Sequence, residues 1–428
     1  METFERLESK VRGYSRSFPA VFDRATGSTM VDESGREYLD FFAGAGVVSY
    51  GHSNPVLKAA LIDYIERDGL THGLDMASVA KREFLLAFED IILRPRGMEY
   101  RVQFPGPGGA NAVESALKLA RRATGRDGVI SFTSAFHGMT LGALSVSGNH
   151  RARTAAGVTL HNVTPMPFDG FLGPEQNALG LLEQYLASGH SGVGVPAAII
   201  LETVQAEGGV NVASVEWLQG IQRIAREHGI LLIVDDIQVG CGRCGTFFSF
   251  EQAGIDPDII CLSKALSGYG LPMAVTLVRP EYDVLQPGEH NGTFRGLNLA
   301  FVTARAALET YWRDAVLTDH VEELSLVVHN RLSEIAAYRP HLMSSVRGRG
   351  LIYGLELGIG GLASDVSRVA FDAGLVVETC GPGDRVLKIL PPLVITREEL
   401  VAGLDIIETA IDAVTGLGGT APHRAAAA

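Results

Sequence analysis

The stretch GILLIVDDIQVG, residues 229–240, decides the fold class of this chain. Its apolar run, residues 230–234, has no polar alternation, which is typical of a strand buried on both faces in a parallel sheet covered by helices. The run ends in two neighbouring carboxylates, Asp235 and Asp236, and a buried carboxylate is costly unless a partner compensates it. Ligands of open parallel sheets bind beyond the carboxyl ends of the strands. The stretch therefore predicts a parallel α/β fold with a binding site at this strand end.

The chain on either side of this stretch alternates between apolar runs and helical patterns, from about residue 50 to residue 320. Helical apolar spacing predicts helices over 111–125 and 214–229, each ended by a glycine. Residues 21–42 alternate instead like a β-meander. We expect βαβ units with right-handed crossovers and a mainly parallel central sheet flanked by helices. Its strand candidates are GVISF (128–132), PAAIILET (196–203), ILLIVDD (230–236) and DIICLS (258–263).

The pattern changes after about residue 320, where a helix near 321–338 is followed by further strands and a final helix near 397–415. The expected organisation has a large domain over 51–320 and a smaller α+β domain over 321–418. Residues 1–50 are expected to join the small domain. The low-complexity end GTAPHRAAAA, residues 419–428, predicts a disordered tail.

The composition argues against nucleic-acid-binding, membrane, secreted and disulfide-rich proteins. The net charge of −13 argues against a nucleic-acid or anionic-membrane surface, and no run approaches the roughly 20 apolar residues of a membrane span. The charged start METFERLESK lacks the apolar core of a signal peptide. Four cysteines do not form a disulfide framework. These features predict a cytoplasmic protein.

The pair of cysteines in CGRC, residues 241–244, leaves redox or metal chemistry open as an alternative. Zinc usually needs four ligands, and no second Cys or His pair stands at matching spacing. We expect both cysteines to be loop residues, with an adventitious disulfide as the alternative, and we expect no metal site.

Several further residues could share the site at Asp235. Lys264 follows the apolar strand IICLS; alone, it would be interpreted as a surface lysine that opens a helix. FPGPGGANAVES, residues 104–115, is a glycine-rich turn leading into a helix, where free N–H groups suit a phosphate. SAFHG, residues 134–138, places Phe136 and His137 after another strand. A phosphate cradle, an aromatic face, an acid and a lysine together are what pyridoxal phosphate needs.

These motifs, in this order and spacing, resemble those of the class III aminotransferases of fold type I. The resemblance spans roughly residues 15–410. It implies a large domain with a mainly parallel central sheet, a smaller α+β domain, and transamination dependent on pyridoxal 5′-phosphate. The matching elements are GGANAVESALKLAR (108–121), SAFHG, ETVQAEGG (202–209), VDDIQVGCGR (234–243), LSKALSGYGLP (262–272) and HNGTFRG (290–296).

The resemblance also implies roles for single residues. Lys264 would hold the cofactor as a Schiff base and move the proton of the substrate. Asp235 would pair with the pyridinium nitrogen, Gln238 would bind the phenolic oxygen, and Phe136 would cover the ring. Thr293 would reach the phosphate of the partner subunit, which implies a homodimer or a dimer of dimers. The implied cofactor-binding set is Gly108, Gly109, Ala110, Phe136, His137, Glu202, Asp235, Gln238, Lys264 and Thr293.

The glycine turn departs from the family pattern. Gly108 and Ala110 stand where Ser or Thr hydroxyls are usual. The turn therefore lacks two hydroxyls that the family pattern offers to the phosphate, and the sequence leaves open whether this weakens cofactor binding.

The substrate side depends on two charged residues. In the family, an arginine binds the α-carboxylate of glutamate, and a glutamate masks that arginine when another amine binds. Glu207 matches the masking acid and Lys388 stands at the arginine position, although lysine is a point charge and lacks the bidentate fork. A surface position on a strand is the alternative for Lys388. The small Ala45 and Gly46 would leave room for a substrate with its own α-amino and α-carboxylate groups.

One branch of the family shares Lys388, the Asp-Asp-Ile-Gln sequence and the stretch RDGLTHGLDMASVAKREFL, residues 67–85. This branch transfers the amino group of L-glutamate to L-aspartate 4-semialdehyde, giving 2-oxoglutarate and L-2,4-diaminobutyrate for ectoine-type biosynthesis. The alternatives are an aminotransferase for acetylornithine, ornithine or 4-aminobutyrate, a glutamate-1-semialdehyde aminomutase, and a diverged copy in a natural-product pathway. A cofactor-binding regulatory protein without catalysis is a further alternative from another class.

Overall fold

The computed structural model of the chain describes residues 1–173 and 176–416, apart from the side chain of Ser344. The tail expected over 419–428 lies outside these residues. Within them, no helix combines the length and the apolar character that a membrane crossing requires.

The N-terminal segment contains the expected meander, in which the first three strands pair antiparallel in chain order. The short turn that follows it is left-handed, because four consecutive residues have positive φ angles between 49° and 86°. The elements are α1 (Glu2–Leu7), α2 (Tyr14–Ser17), β1 (Phe22–Thr26), β2 (Thr29–Asp32), β3 (Glu37–Asp40) and the left-handed turn α3 (Ala43–Gly46).

The middle of the chain alternates strands and helices, as the apolar pattern predicts. Its elements are α4 (Pro55–Glu66), α5 (Val79–Phe88), β4 (Arg101–Gln103), α6 (Gly109–Thr124), β5 (Val129–Phe132), α7 (Leu141–Ser145), α8 (His150–Thr154), β6 (Val163–Met166), α9 (Ala178–Ala187), β7 (Ala198–Leu201), β8 (Val204–Gln205), β9 (Asn211–Val212), α10 (Val215–Glu227), β10 (Leu231–Asp235), β11 (Ile259–Leu262), β12 (Val275–Val278) and α11 (Asn298–Tyr311).

Seven of these strands form the central sheet, in the order β4-β12-β11-β10-β7-β5-β6. Strand β10 lies in the middle and pairs parallel with β11 and β7. Strands β5 and β6 continue the parallel arrangement, whereas β12 runs antiparallel to β11 and β4. The prediction of a mainly parallel sheet is confirmed.

Strand β10 is buried on both faces, which explains its unbroken apolar run. Leu231 and Ile233 pack into the core cluster that contains the apolar face of α6. Leu232 and Val234 pack into the larger cluster that contains the apolar face of α10. Successive side chains point to opposite faces of a strand, so helices cover both sides of the sheet and Asp235 emerges at its edge.

The C-terminal segment forms a second, antiparallel sheet, in the order Met343–Arg349, Ile352–Leu357, Val386–Ile389 and Glu378–Cys380. A separate short strand of this segment, Leu375–Val376, pairs parallel with β3, so the N-terminal meander joins this part of the chain. The division into domains stays a prediction. The elements are α12 (Val316–Tyr338), β13 (Met343–Arg349), β14 (Ile352–Leu357), α13 (Leu362–Asp372), β15 (Leu375–Val376), β16 (Glu378–Cys380), β17 (Val386–Ile389) and α14 (Arg397–Thr415).

Candidate active site

A cavity of about 160 Å³ lies at the carboxyl ends of β10 and β11. It brings together eight of the residues that the sequence singled out for one site. The carboxyl ends of parallel strands meet at one edge of a sheet, which explains why residues as far apart in sequence as Gly109 and Lys264 line one cavity. The lining residues are Gly109, Ala110, Phe136, His137, Gly138, Glu202, Asp235, Ile237, Gln238, Val239 and Lys264.

The carboxylate of Asp235 is held on both oxygens. His137 Nδ1 lies 2.7 Å from Asp235 Oδ2, and the backbone N–H of Ile237 donates to Oδ1 at 3.1 Å. Both side chains are buried. His137 Nε2 has no hydrogen-bond partner among the described residues. The pair therefore presents a fixed anion to the cavity, oriented by a buried imidazole.

The neighbouring Asp236 faces away from the cavity, as the strand period requires. Its carboxylate accepts the backbone N–H of Ser249 at 3.0 Å. Burial raises the pKa of Asp236 to about 7. This contact gives Asp236 a structural role in the loop after β10.

Lys264 begins a short 3-10 helix at the end of β11 and has a positive φ of 49°. Left-handed backbone at a residue other than glycine is uncommon and concentrates at functional sites. Among the described residues, its amine has no hydrogen-bond or ion-pair partner. Burial lowers the pKa of Lys264 to about 8, so a share of the amine is neutral near pH 7 and available as a nucleophile.

The glycine turn forms the N-terminus of α6. Gly108 donates its N–H to Asn111 Oδ1 at 3.1 Å, a cap that the sequence analysis missed. A Cβ on Gly109 would lie 3.0 Å from Ile237, and a Cβ on Gly138 would lie 2.8 Å from that of Ala110. The absence of a side chain at Gly109 and Gly138 thus lets two loops approach the N-terminus of the helix.

Two further predicted residues orient the walls of the cavity. Glu202 accepts the backbone N–H of Phe136 at 2.9 Å, and burial, together with the charge of Asp235, raises the pKa of Glu202 well above its usual value. Gln238 donates from Nε2 to the carbonyl oxygen of Ala45 at 2.8 Å. The left-handed turn α3 is therefore tied to the loop after β10.

The charged pair predicted for the substrate side is present, with a third member. Lys388 Nζ lies 2.7 Å from Glu207 Oε1 and 2.9 Å from Glu378 Oε1. Lys388 is 0% exposed, which rules out its alternative as a surface residue. The sequence analysis missed Glu378, since only the register of β16 and β17 places it directly opposite Lys388.

The two acids differ in how readily they bind a proton. Burial would raise the pKa of Glu207, but Lys388 and Lys264 outweigh it and lower the pKa to about 2. Burial dominates at Glu378 and raises the pKa to about 7, against the effect of Lys388. Burial would lower the pKa of Lys388, and the two acids raise it overall. Lys388 is therefore a buried cation with one firmly ionised partner.

Comparison with known protein families decides the identity. Residues 11–411 match the family model described as aminotransferase class III. The chain is a class III aminotransferase.

The relatives of this aminotransferase match it over nearly their whole length. The diaminobutyrate–2-oxoglutarate transaminase of Halalkalibacterium halodurans is 54% identical, over 97% of each chain. That of Nocardia farcinica is 55% identical, over 99% of this chain and 97% of its own. Among solved structures, an ornithine aminotransferase from Toxoplasma gondii, with partial occupancy of pyridoxal phosphate at its active site, superimposes with a TM-score of 0.85 at 29% identity. It covers 97% of this chain and 94% of its own.

The cofactor of this class III aminotransferase is pyridoxal phosphate, and the cavity residues fit it. The buried carboxylate of Asp235 has no cationic lysine or arginine partner among the described residues, so a protonated ring nitrogen would supply the missing charge. The N–H groups of Gly109 and Ala110 begin α6 and suit the phosphate. The amine of Lys264 is free to form a covalent link. Among the described residues, no group of His, Cys, Asp or Glu is placed to hold a metal ion.

Some residues of the aminotransferase lie outside the cavity of its own chain. Thr293 is exposed and its carbonyl oxygen lies 2.7 Å from His72 Nε2. Gly108 precedes the lining residue Gly109, and Ala45 and Gly46 reach the cavity through Gln238. The role of each of these residues stays a prediction.

The CGRC loop of the aminotransferase is structural. Cys241 and Cys244 are free and buried, and burial raises the pKa of both thiols. Arg243 between them is buried and donates to the carbonyls of Leu351 and Pro391 and to Ser49 Oγ. The disulfide considered from the sequence is not formed.

Proposed function

We propose that the chain transfers an amino group between L-glutamate and L-aspartate 4-semialdehyde, giving 2-oxoglutarate and L-2,4-diaminobutyrate. The amine of Lys264 and the carboxylate of Asp235 line one cavity, and this observation carries the transamination chemistry. The relatives that are 54% and 55% identical over nearly the full length support the choice of substrates.

Pyridoxal phosphate, when bound, supplies an electron sink for the charge that develops at the substrate carbon. Asp235, oriented by His137, would keep the ring nitrogen protonated. Glu202 would stay protonated beside it, since its raised pKa removes a second negative charge from the cavity. Gln238 would bind the phenolic oxygen, and Phe136 would cover the ring face.

Lys264 would carry the proton. Its amine, with a pKa of about 8, would take the proton from the carbon that bears the amino group of the substrate and return it on the cofactor side. A general base works best when its pKa lies near the working pH. In the second half-reaction the same residue would act in reverse on the C4 carbon of the semialdehyde.

Lys388 would receive the α-carboxylate of glutamate, and Glu207 would mask it when the amino-aldehyde binds. The supporting observation is the 2.7 Å ion pair between them. Since a lysine offers a point charge, this site needs less precise alignment of the carboxylate than an arginine fork requires.

We further propose that two copies of the chain assemble, with Thr293 of each reaching the phosphate of the other. Thr293 is exposed next to Phe294, whose side chain is 66% exposed. The 70–79 segment, which contacts Thr293 through His72, carries the further exposed apolar residues Leu74 and Met76. The location in the cytoplasm stays a prediction.

A coupled assay tests the function. Purified enzyme with pyridoxal phosphate, L-glutamate and L-aspartate 4-semialdehyde should form 2-oxoglutarate and L-2,4-diaminobutyrate in equal amounts. No product from this pair, alongside rapid turnover of ornithine, acetylornithine or 4-aminobutyrate with 2-oxoglutarate, would contradict the assignment and favour another class III activity.

A further inference from the structure

A second cavity, of about 450 Å³, adjoins the active site. It shares Phe136 with the cavity at Lys264 and is also lined by Glu207, the partner of Lys388. Three loops form its walls, over residues 134–136, 148–151 and 381–384. A Cβ on Gly148 would lie 2.8 Å from the backbone nitrogen of Ser134, so a glycine is needed for the first two loops to meet.

The cavity contains an unengaged guanidinium. Arg151 lines it from the short helix α8. Its side chain makes no hydrogen bond or ion pair with any residue that the structure describes. The helix itself is fixed, because Asn149 caps it and Arg153 donates to the carbonyls of Leu144, Ser145 and Ser147. Arg151 is thus a free two-pronged donor on an anchored support.

A second wall of the cavity carries an unengaged carboxylate. Asp384 lines the cavity from the 381–384 loop, and its side-chain oxygens accept no hydrogen bond within the described parts of the chain. Glu207, the other acid in this cavity, already has Oε1 engaged by Lys388. Among the residues that the structure describes, the cavity therefore offers a free cation, Arg151, and a free anion, Asp384, on two of its loops, and both side chains are exposed to solvent.

We infer that this second cavity binds the amino-acid head of L-2,4-diaminobutyrate or of the matching semialdehyde, an inference that rests on the proposed function. Arg151 takes the α-carboxylate and Asp384 takes the α-ammonium group. When C4 of such a substrate reacts at Lys264, its head lies a few bonds away and carries one negative and one positive charge. Arg–carboxylate pairs are bidentate and set orientation as well as affinity. The cavity beside Phe136 supplies the complementary charges.

Three amine substrates test the contact of Arg151 with the carboxylate and the contact of Asp384 with the ammonium group independently. L-2,4-diaminobutyrate has both head charges, 4-aminobutyrate keeps the carboxylate and lacks the α-ammonium, and 1,3-diaminopropane lacks the carboxylate. The half-reaction of each amine with the cofactor-loaded enzyme is followed by the change in cofactor absorbance.

The variant Arg151→Gln should lower kcat/KM about 30-fold for L-2,4-diaminobutyrate and 4-aminobutyrate, the loss expected for a hydrogen bond to a charged group. It should leave 1,3-diaminopropane within about twofold. Arg122→Gln, on the exposed side of α6, is the matched control and should leave all three amines unchanged.

The variant Asp384→Asn should show the converse pattern, with about a tenfold loss for L-2,4-diaminobutyrate and 1,3-diaminopropane and none for 4-aminobutyrate. Asp384 has a φ of 52°, and asparagine tolerates this left-handed conformation well, so the loop should keep its shape. Calorimetric titration of the Lys264→Ala enzyme with L-2,4-diaminobutyrate should show the same loss of affinity when Arg151→Gln is added.

The experiment distinguishes failure of the inference about the second cavity from failure of the proposed function. If the unaltered enzyme reacts with L-2,4-diaminobutyrate but Arg151→Gln affects all three amines equally, or none, the inference about the head-group cavity is overturned while the proposed function stands. If the unaltered enzyme does not react with L-2,4-diaminobutyrate, the proposed function fails and this inference fails with it.

Discussion

At the scale of single residues, the neighbouring carboxylates of Asp235 and Asp236 face opposite sides and have different partners. Asp235 faces the cavity and is held by His137. Asp236 faces the opposite side and is held by the backbone of Ser249. The period of the strand, known from the sequence, predicts this division. The identity of each partner depends on loops whose paths the sequence does not specify.

Lys264 is the residue on which the chemistry depends. Replacing it with Ala should abolish covalent attachment of pyridoxal phosphate and lower kcat by at least about 10⁴-fold, because no other lysine within residues 1–173 and 176–416 lines the cavity. Mass spectrometry after borohydride reduction measures the attachment. Lys58→Ala, at an exposed position on α4, is the control. A reducible adduct that persists in Lys264→Ala would refute the role.

Asp236 should make stability depend on pH. Its pKa is raised from 3.8 to about 7. Between pH 3.8 and about pH 7, the carboxyl group is therefore protonated in the folded state and ionised in the unfolded state. The unaltered protein therefore loses stability as pH rises from about 4 to 7 through this group. The neutral variant Asp236→Asn should remove up to about 1.4 kcal/mol per pH unit of that loss.

The measurement is the Tm of both proteins between pH 5 and pH 8. The Tm difference, variant minus unaltered protein, should increase with pH up to about pH 7. Asp68→Asn, at an exposed position, controls for the loss of a surface charge. Parallel curves for Asp236→Asn and the unaltered protein would show that burial does not shift this group.

At the scale of elements, the pairing of β16 with β17 sets the charge around Lys388. Glu378 lies directly opposite Lys388 in this pairing, and with Glu207 it gives the cluster a net charge of −1 when all three groups are ionised. This net negative charge then weakens the binding of the α-carboxylate of the substrate glutamate. Because the pKa of Glu378 is raised to about 7, this repulsion should increase above neutral pH.

The variant Glu378→Gln should therefore lower KM for L-glutamate about fivefold at pH 8.5, equivalent to about 1 kcal/mol. At pH 6 the difference should shrink to less than about twofold, since Glu378 is then protonated in the unaltered enzyme. Steady-state KM and kcat at both pH values measure this, with the exposed Glu398→Gln as control. A difference that is equal or larger at pH 6 would contradict the mechanism.

The left-handed turn α3 is strained at its alanines. Ala45 has φ 58° and ψ 35°, a conformation that costs an L-residue roughly 1–2 kcal/mol. The variant Ala45→Gly should raise the free energy of unfolding by about 1 kcal/mol after the entropy of the unfolded chain is included. Ala60→Gly on the helix α4 should lower it by a similar amount. Urea unfolding measures both, and equal destabilisation by the two variants would show that the turn is unstrained.

At the scale of the whole molecule, the exposed apolar side chains near Thr293 predict the dimer interface. Two copies should sediment at about twice the 45.6 kDa of the chain. Phe294→Asp, at a side chain that is 66% exposed, should shift the protein toward the monomer and weaken cofactor binding, because Thr293 would lose its partner. Tyr338→Asp, at another exposed aromatic residue, should do neither. A Phe294→Asp protein that stays dimeric would place the interface elsewhere.

The sequence predicts the central sheet from its local apolar pattern, and most of the site from its resemblance to the class III aminotransferases. The apolar runs mark β5, β7, β10 and β11, and the residues after them, including Lys264, meet at one edge. The sequence analysis did not identify Glu378, because only the register of β16 with β17 places it at Lys388. It also missed the cap from Asn111, because that contact depends on the backbone path of the glycine turn.

Arg243 depends on hydrogen-bond acceptors that the ribosome adds to the chain much later than Arg243 itself. Its buried guanidinium donates to carbonyls that lie 108 and 148 residues further along the chain, and an unpaired buried cation is costly. A growing chain that has just completed β10 and its following loop contains Ser49 but lacks both of these carbonyl acceptors. We therefore expect the loop that carries Arg243 to reach its final packing only after Pro391 has been made, and a polypeptide that ends soon after α11 to expose this arginine.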